Sequence, residues 1–449
     1  MVLSFLKNDY TKWSLIVLAG SLLASFLNYG FTLIMGRMLS QSSFGEVSAI
    51  FGLMVILVAP TQAISNYVSR HISFLAGKKD YLTARVWLWK VSRSVFYFSL
   101  ILLLVFWLLI PPLSRFLGIN FLPLIVFSFS LPFAFMLSVY AGALQGLKSF
   151  KAFSFQNILG AMLKLSLAVI FVYIGLFAPG VMLAMAVSLA SAYFYNYTKI
   201  KSFWKRMNLE ERIETRPSGT VLKNIFSKSF LAVFLAALLV ALISNIDVIL
   251  VKHFLEPDLA GEYAALSAIG KILIYVASAF VTVMFAMVSE SFAERKTHAE
   301  GPERLAPSAV EGSRGAEQTF KNTLVYISAL SLPAVLAFGL APKIVVEIFF
   351  GSNYINIAPY LPIFSVAMFL FSLSIAFIHY FLAIRNNSFL LPFAAGALLQ
   401  IVLISFHHKN IENVVASMLW SSIFLLVALV VNHFLYRLAR APARIIDHS

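Results

Sequence analysis

Long apolar runs, separated by short polar breaks, fill almost the whole chain. Crossing about 30 Å of hydrocarbon takes about 20 residues of α-helix, and runs of that length occur about twelve times. They lie near 13–36, 44–68, 94–113, 121–144, 152–176, 179–198, 229–252, 260–289, 323–348, 357–384, 388–406 and 412–436. The first is too long for the core of a signal peptide and has no small-residue cleavage site after it, so it is expected to remain as a helix. One pattern recurs within the series. An apolar stretch ends in Gly36-Arg37-Met38-Leu39, and Phe44-Gly45-Glu46 leads into a second that runs to Val68-Ser69-Arg70. Later, Lys252-His253-Phe254-Leu255 ends one stretch and Ala260-Gly261-Glu262 opens another, which ends at Val288-Ser289-Glu290. Leu39, Gly45, Glu46 and Ala49 recur as Leu255, Gly261, Glu262 and Ala265 at a constant offset of 216. The expected fold is an all-α polytopic membrane protein of about 12 transmembrane helices in two halves.

The longest polar breaks divide the chain. A basic segment, 199–228, carries Pro217-Ser218-Gly219 and separates an N-terminal bundle (1–198) from a C-terminal one (229–449). A second break, 290–322, is rich in Ala, Glu, Gly, Pro and Arg, with almost no large apolar residue after Phe292. That composition predicts a solvated linker, with partner docking as the alternative.

Composition agrees with the pattern. The chain is 60% hydrophobic and 12% charged, with a mean hydropathy of +0.88, far from the soluble average. Its +15 net charge raises a nucleic-acid partner, which the distribution argues against. With the N-terminus inside, cytoplasmic segments hold 27 of the 34 Lys and Arg residues, while the outer loops hold only Arg37, Arg115, Lys252, Lys343 and Lys409. This asymmetry places both termini in the cytoplasm, with the basic loops against an anionic leaflet.

Several chemistries find no support. With no cysteine there is no disulfide framework or thiolate site, and no phosphate-binding loop, nucleophile elbow or zinc-protease motif occurs. Asn196-Tyr197-Thr198 and Asn386-Asn387-Ser388 match the glycosylation tripeptide but fall on the cytoplasmic side. His407-His408 is a lone pair, short of a metal site. The outer loops are too short to house an enzyme domain.

Candidate chemistry therefore lies where the spans carry polar residues, which in a membrane face the bundle interior or water. Ser21, Ser25, Asn28 and Thr32 share one helical face. Gln62, either Ser65 or Asn66, and Ser69 follow a similar spacing that ends at Arg70. Asn157, Gly160 and Lys164 form a stripe, as do Ser267, Lys271, Tyr275, Ser278 and Thr282, and the seventh span adds Ser244, Asn245 and Asp247. Ser and Thr often serve helix packing alone, and Gly142-x-x-x-Gly146 reads as a close helix contact. Lys164 lies about 18 Å from the cytoplasmic end of its span at 1.5 Å per residue, and Lys271 about as deep. Two buried cations beside few acids suit an anionic group such as a phosphate. Asp247 is the candidate for coupling to a proton or sodium ion, and an internal Asp247–Lys271 ion pair is the structural alternative.

In these residues the chain resembles polysaccharide biosynthesis proteins of the O-antigen flippase type, within the multidrug/oligosaccharidyl-lipid/polysaccharide exporter superfamily. The matching blocks are Gly36-Arg37-Met38-Leu39-Ser40 through Phe44-Gly45 to Val68-Ser69-Arg70, then Gly142-Ala143-Leu144-Gln145-Gly146-Leu147-Lys148-Ser149-Phe150-Lys151. Lys164, followed by Leu165, stands where the family often carries a basic residue. The resemblance implies two six-helix bundles around a central cavity, related by a pseudo-twofold. It implies alternating-access movement of undecaprenyl-diphosphate-linked oligosaccharides across the cytoplasmic membrane, and leaves open whether the protein works alone or beside glycosyltransferases and a polysaccharide polymerase. It carries a substrate-binding role to Lys164 and Arg70. From the residues themselves, Lys271 joins the anion site and Asn28, Gln62, Asn66, Asn157 and Asn245 are candidates to meet the sugars. No cofactor is expected. The linker 290–322 departs from the compact connection of the family. A multidrug cation exporter is the alternative and would need an acidic or aromatic site. A polymerase or ligase would need a sizeable outer loop.

Overall fold

The computed structural model describes residues 9–207, 228–299 and 308–440. Its regular structure is helical throughout: α1 (Asp9–Met38), α2 (Gln41–Val58), α3 (Pro60–Gly77), α4 (Tyr81–Leu117), α5 (Phe121–Ser128), α6 (Ser130–Gly146), α7 (Phe150–Tyr173) and α8 (Phe177–Arg206) come first. Then follow α9 (Lys228–Ile243), α10 (Ile246–Phe254), α11 (Pro257–Gly270), α12 (Ile272–Ala299), α13 (Ser308–Leu340), α14 (Pro342–Phe350), a 3₁₀ segment (Ser352–Tyr360), α15 (Leu361–Ala383), α16 (Leu390–Phe406) and α17 (Ile411–Arg440). Among the described residues, ten spans are long and apolar enough to cross a membrane, or eleven when the bent α9–α10 pair counts as one. This is a multi-pass membrane protein. On α4, Leu104 and Leu108 stand 62% and 79% exposed, which lipid tolerates and water does not.

Three expected spans differ in form. The seventh is broken, with Phe234–Ile243 and Ile246–Phe254 meeting at 41°. The eleventh, α16, has only 17 residues, a rise of roughly 25 Å. The ninth also ends early. It stops at Leu340, because Ala341 leaves the helical region and Pro342 opens α14, where a proline costs no hydrogen bond.

The linker expectations narrow as well. The basic segment 199–228 begins as the last turns of α8, and 208–227 lie outside the described residues. Within 290–322, α12 continues to Ala299 and α13 starts at Ser308, leaving 300–307 outside the description. Glu317 on α13 pairs with Lys321 and with Arg437 of α17, each at 3.0 Å. Gly315, Gln318, Lys321 and Asn322 of this stretch are exposed on α13.

The chain divides into two compact units, Met1–Leu238 and Leu239–Ser449. In the first, α1 packs on α7, α3 on α6, and α8 on both α6 and α7. In the second, α10 packs on α16, α12 on α15, and α17 on both α15 and α16. The internal order of contacts is thus the same, first span on fifth, second on fourth, sixth on fourth and fifth. The repeat of 216 residues reappears in the backbone. Leu39 N–H donates to Met35 O (3.0 Å) and Leu255 N–H to Val251 O (2.9 Å), then Phe44 to Ser40 (2.8 Å) and Ala260 to Glu256 (2.9 Å). Ser40 and Glu256 hold the same extended N-cap conformation.

Close packing sets the first unit. A side chain at Gly142 would strike the Ser65 carbonyl oxygen, and one at Gly146 would come within 2.8 Å of both Ile72 Cβ and Ser69 O. Ser73 Oγ donates to Gly146 O at 3.2 Å. The Gly-x-x-x-Gly pattern therefore lets α6 approach the α3 backbone, above a core of Val68, Ile72, Trp87, Val139 and Tyr140. Gly142→Ala is expected to lower the thermal midpoint by overpacking worth about 1–3 kcal/mol. Gly30→Ala, with nothing within 4 Å of the added carbon, should leave it unchanged or raised. Size-exclusion profiles after graded heating read both, and equal midpoints would show the α3–α6 seam to be loose.

Candidate functional site

In the first unit the site is built around Lys164 on α7. Its Nζ lies 4.4 Å from the centre of the Phe31 ring on α1 and 5.6 Å from that of Phe51 on α2. The two rings meet edge to face at 5.5 Å. Among the described residues no carboxylate pairs with Lys164. Aromatic faces attract an ammonium through their quadrupole, so the charge is held in place without being neutralised. The side chain remains half-buried.

An amide chain precedes it on the same helix. Gln156 Nε2 donates to Asn157 Oδ1, and Asn196 Nδ2 on α8 donates to Gln156 Oε1 at 3.4 Å. Asn196 Oδ1 is buried and finds no partner among the described residues. Neither Gln156 nor Asn196 emerged from the sequence as a site residue. Gln156 adjoins the candidate Asn157 and Asn196 is a lone amide among aromatic residues, and those positions were the available signal. Complete burial of Asn196 is a second reason why its tripeptide is no glycosylation acceptor.

On α3, Gln62, Asn66 and Arg70 form one exposed face at steps of four, with Gln62 Nε2 donating to Asn66 Oδ1 at 3.1 Å. Ser65 is buried and turns to Gly142, which decides the open choice at that position. On α1, Ser21, Ser25 and Asn28 are exposed, whereas Thr32 bonds back to Asn28 O. Arg70 stands apart. It follows Phe51 by nineteen residues, roughly 25–30 Å along the α2–α3 span, so it shares no immediate site with Lys164.

The second unit handles charge differently. Asp247 occupies the first turn of α10, where the helix dipole favours a carboxylate, and is fully buried. Tyr263 Oη and Ser267 Oγ each donate to its Oδ2 at 3.1 Å, and Lys271 Nζ lies 3.5 Å from Oδ1. Tyr263, Ser267 and Lys271 recur at steps of four along α11 and its C-terminus, one face turned to one carboxylate. Tyr263 was missed because the polar stripe read from sequence began at Ser267. The internal ion pair set out as the alternative is the arrangement found. Asn245 is spent on the break, its Nδ2 donating to Ala241 O at 2.8 Å, and Gln400 Nε2 supports Ile243 O at 3.2 Å. Ser278 and Thr282 bond their own helix backbone.

The histidine pair has a local explanation. The His408 ring stacks on Phe254 at 3.9 Å, with Nδ1 within 2.8 Å of Ser405 O. Among the described residues no group of three or more His, Cys, Asp or Glu is placed to hold a metal.

Solved structures share this architecture. An inward-facing multidrug resistance MATE transporter of the MOP superfamily matches with a TM-score of 0.72 at 16% identity, over 93% of this chain and 95% of its own. This chain has the MATE transporter fold. An outward-facing MATE transporter matches with a TM-score of 0.66 at 17% identity, over 98% and 97% of the two chains. The lipid II flippase MurJ, inward closed, gives 0.63 at 14% identity over 92% and 87%. No family model matches the chain, and no curated protein matches its sequence. The likeness reaches the fold of the expected superfamily and does not single out the O-antigen flippase type within it.

Asp247→Ala strands Lys271 in the interior and is expected to cost about 3–5 kcal/mol, whereas removing both partners costs less than either single change would imply. Thermal midpoints of the two single variants and the double variant, in sodium-free buffer, measure the coupling. Strictly additive losses would show the pair to be energetically idle.

Proposed function

We propose that this protein is a flippase that moves a lipid-linked, undecaprenyl-diphosphate oligosaccharide across the cytoplasmic membrane by alternating access. The observation that carries this reading is Lys164, an ammonium seated against two phenylalanine rings with no acidic partner among the described residues. Such a charge attracts a diphosphate and repels an organic cation. Asn157, with Gln156 and Asn196 behind it, supplies amides of the kind that bind sugar hydroxyls. Gln62, Asn66 and Asn28 offer exposed polar faces in otherwise apolar spans, and Arg70 is a second basic contact farther along the path. Lys271 leaves the anion site in this reading, since Asp247 already engages it. The lipid tail stays in the bilayer.

The role is non-catalytic transport. Both termini lie in the cytoplasm, by the distribution of basic residues. Glycosyltransferases that make the substrate and a polymerase that consumes the product are the expected partners. Asp247 serves as the coupling group, taking a proton or responding to a cation during the return step.

A multidrug exporter is the second reading, favoured by the multidrug MATE neighbours. Its weakness is charge. Of the second unit's buried carboxylates, Asp247 is paired with Lys271 and Glu262 accepts from Asn356 Nδ2 at 3.2 Å, and the first unit's cluster is cationic.

Proteoliposomes carrying a fluorescent undecaprenyl-diphosphate oligosaccharide decide between the two. Lys164→Ala is expected to slow translocation about tenfold or more, the equivalent of about 1.4 kcal/mol of lost charge-assisted binding, and Lys164→Arg to retain most of it. Undiminished transport by Lys164→Ala would remove the anion site, and gradient-driven efflux of organic cations instead would establish the drug exporter.

A further inference from the structure

The side chains that face Asp247 line one side of α11 and its C-terminal cap. The Tyr263 and Ser267 hydroxyls approach the carboxylate at 3.1 Å, so oxygen atoms from α10 and α11 converge on one point. Hydroxyls rotate to offer either hydrogen or lone pair, and a cluster of carboxylate and hydroxyl oxygens suits a small, hard cation. The cation present is the Lys271 ammonium. It lies 3.5 Å from Oδ1, beyond the about 2.7–2.9 Å of a charge-assisted hydrogen bond, and Oδ1 makes no hydrogen bond among the described residues. Lys271 thus acts on the carboxylate as a charge at close range rather than through a directed bond.

At the break, Ala241 O is taken by the Asn245 amide, Leu242 O by Asn245 N–H and Ile243 O by Gln400. Lys271 is tethered where the chain itself is interrupted, between α11 and α12, with its N–H bonded to Ser267 O. Its side chain is 14% exposed while that of Asp247 is sealed at 0%. The ammonium therefore stands between the carboxylate and the outside of the cluster.

We propose that Lys271 is a resident cation, its ammonium occupying the monovalent-cation position at Asp247 and so excluding sodium from it. This rests on the assignment of Asp247 as the coupling group and is independent of the lipid-linked substrate. The side chain then determines which ion the site answers to. Removing it would uncover a cluster of Asp247, Tyr263 and Ser267 oxygens with an unpaired negative charge.

The test is the thermal midpoint of the purified full chain against sodium chloride, with choline chloride holding ionic strength constant. The unmodified protein and Lys271→Arg are expected to show no sodium response. Lys271→Ala should show a saturable rise, because an ion that binds only the folded state stabilises it, and Lys271→Ala combined with Asp247→Asn should lose that rise. A saturable sodium response in the unmodified protein that disappears in Asp247→Asn would overturn the proposal, as would a folded Lys271→Ala that ignores sodium. If Lys271→Ala is unstable in choline, Lys271→Met supplies a side chain of similar volume. Recovery of folded protein by sodium in either variant supports the proposal, and failure of both to fold even in sodium overturns it. No lipid-linked substrate enters the measurement, so its outcome is separate from that of the translocation assay.

Discussion

Hydrocarbon supplies neither hydrogen-bond partners nor dielectric screening, and every polar atom in these spans has to be provided for from within the protein. Backbone groups meet that demand by forming helices almost without interruption. Where a helix does break, side chains close the gap. Asn245 and Gln400 occupy the carbonyls freed in the seventh span, and Thr61 Oγ1 donates to Val58 O at 2.6 Å where Pro60 follows the end of α2. Serines and threonines elsewhere mostly return their hydroxyls to their own helix.

Ionised groups pose the same problem at higher energy, and the two units solve it in different ways. The second unit pairs opposite charges, with a dipole and two hydroxyls assisting Asp247. The first unit gives Lys164 only aromatic faces. Pairing satisfies a charge and hides it from a ligand, whereas a quadrupole stabilises a charge and leaves its field in place. This contrast is why one lysine reads as a binding residue and the other as an internal counter-ion.

The two units share one order of helix contacts. The contact order within each unit is retained, and so is the turn that joins first span to second, down to its backbone hydrogen bonds. The intramembrane chemistry has diverged over the same scaffold. Likeness to solved MATE and lipid II flippase structures at 14–17% identity belongs to the same pattern, since helix length, hydropathy and small-residue contacts suffice to maintain packing.

Much was legible from the chain by itself: helical class, approximate span positions, the internal repeat, the Gly142–Gly146 contact and the Asp247–Lys271 pair as an alternative. These follow from local periodicity and from the cost of exposing polar groups to lipid, which act along one helix at a time. Periodicity reports that a face is polar but not what it meets. Only the tertiary structure could show that Phe31 and Phe51 converge on Lys164, that Tyr263 joins Ser267 and Lys271 at Asp247, or that Ser65 faces glycine while Asn66 does not. The same holds for Arg70, grouped with Lys164 by the family resemblance and separated from it by the length of a helix. Partnership depends on the rotation and depth of neighbouring helices, and those are set by packing between segments distant in sequence.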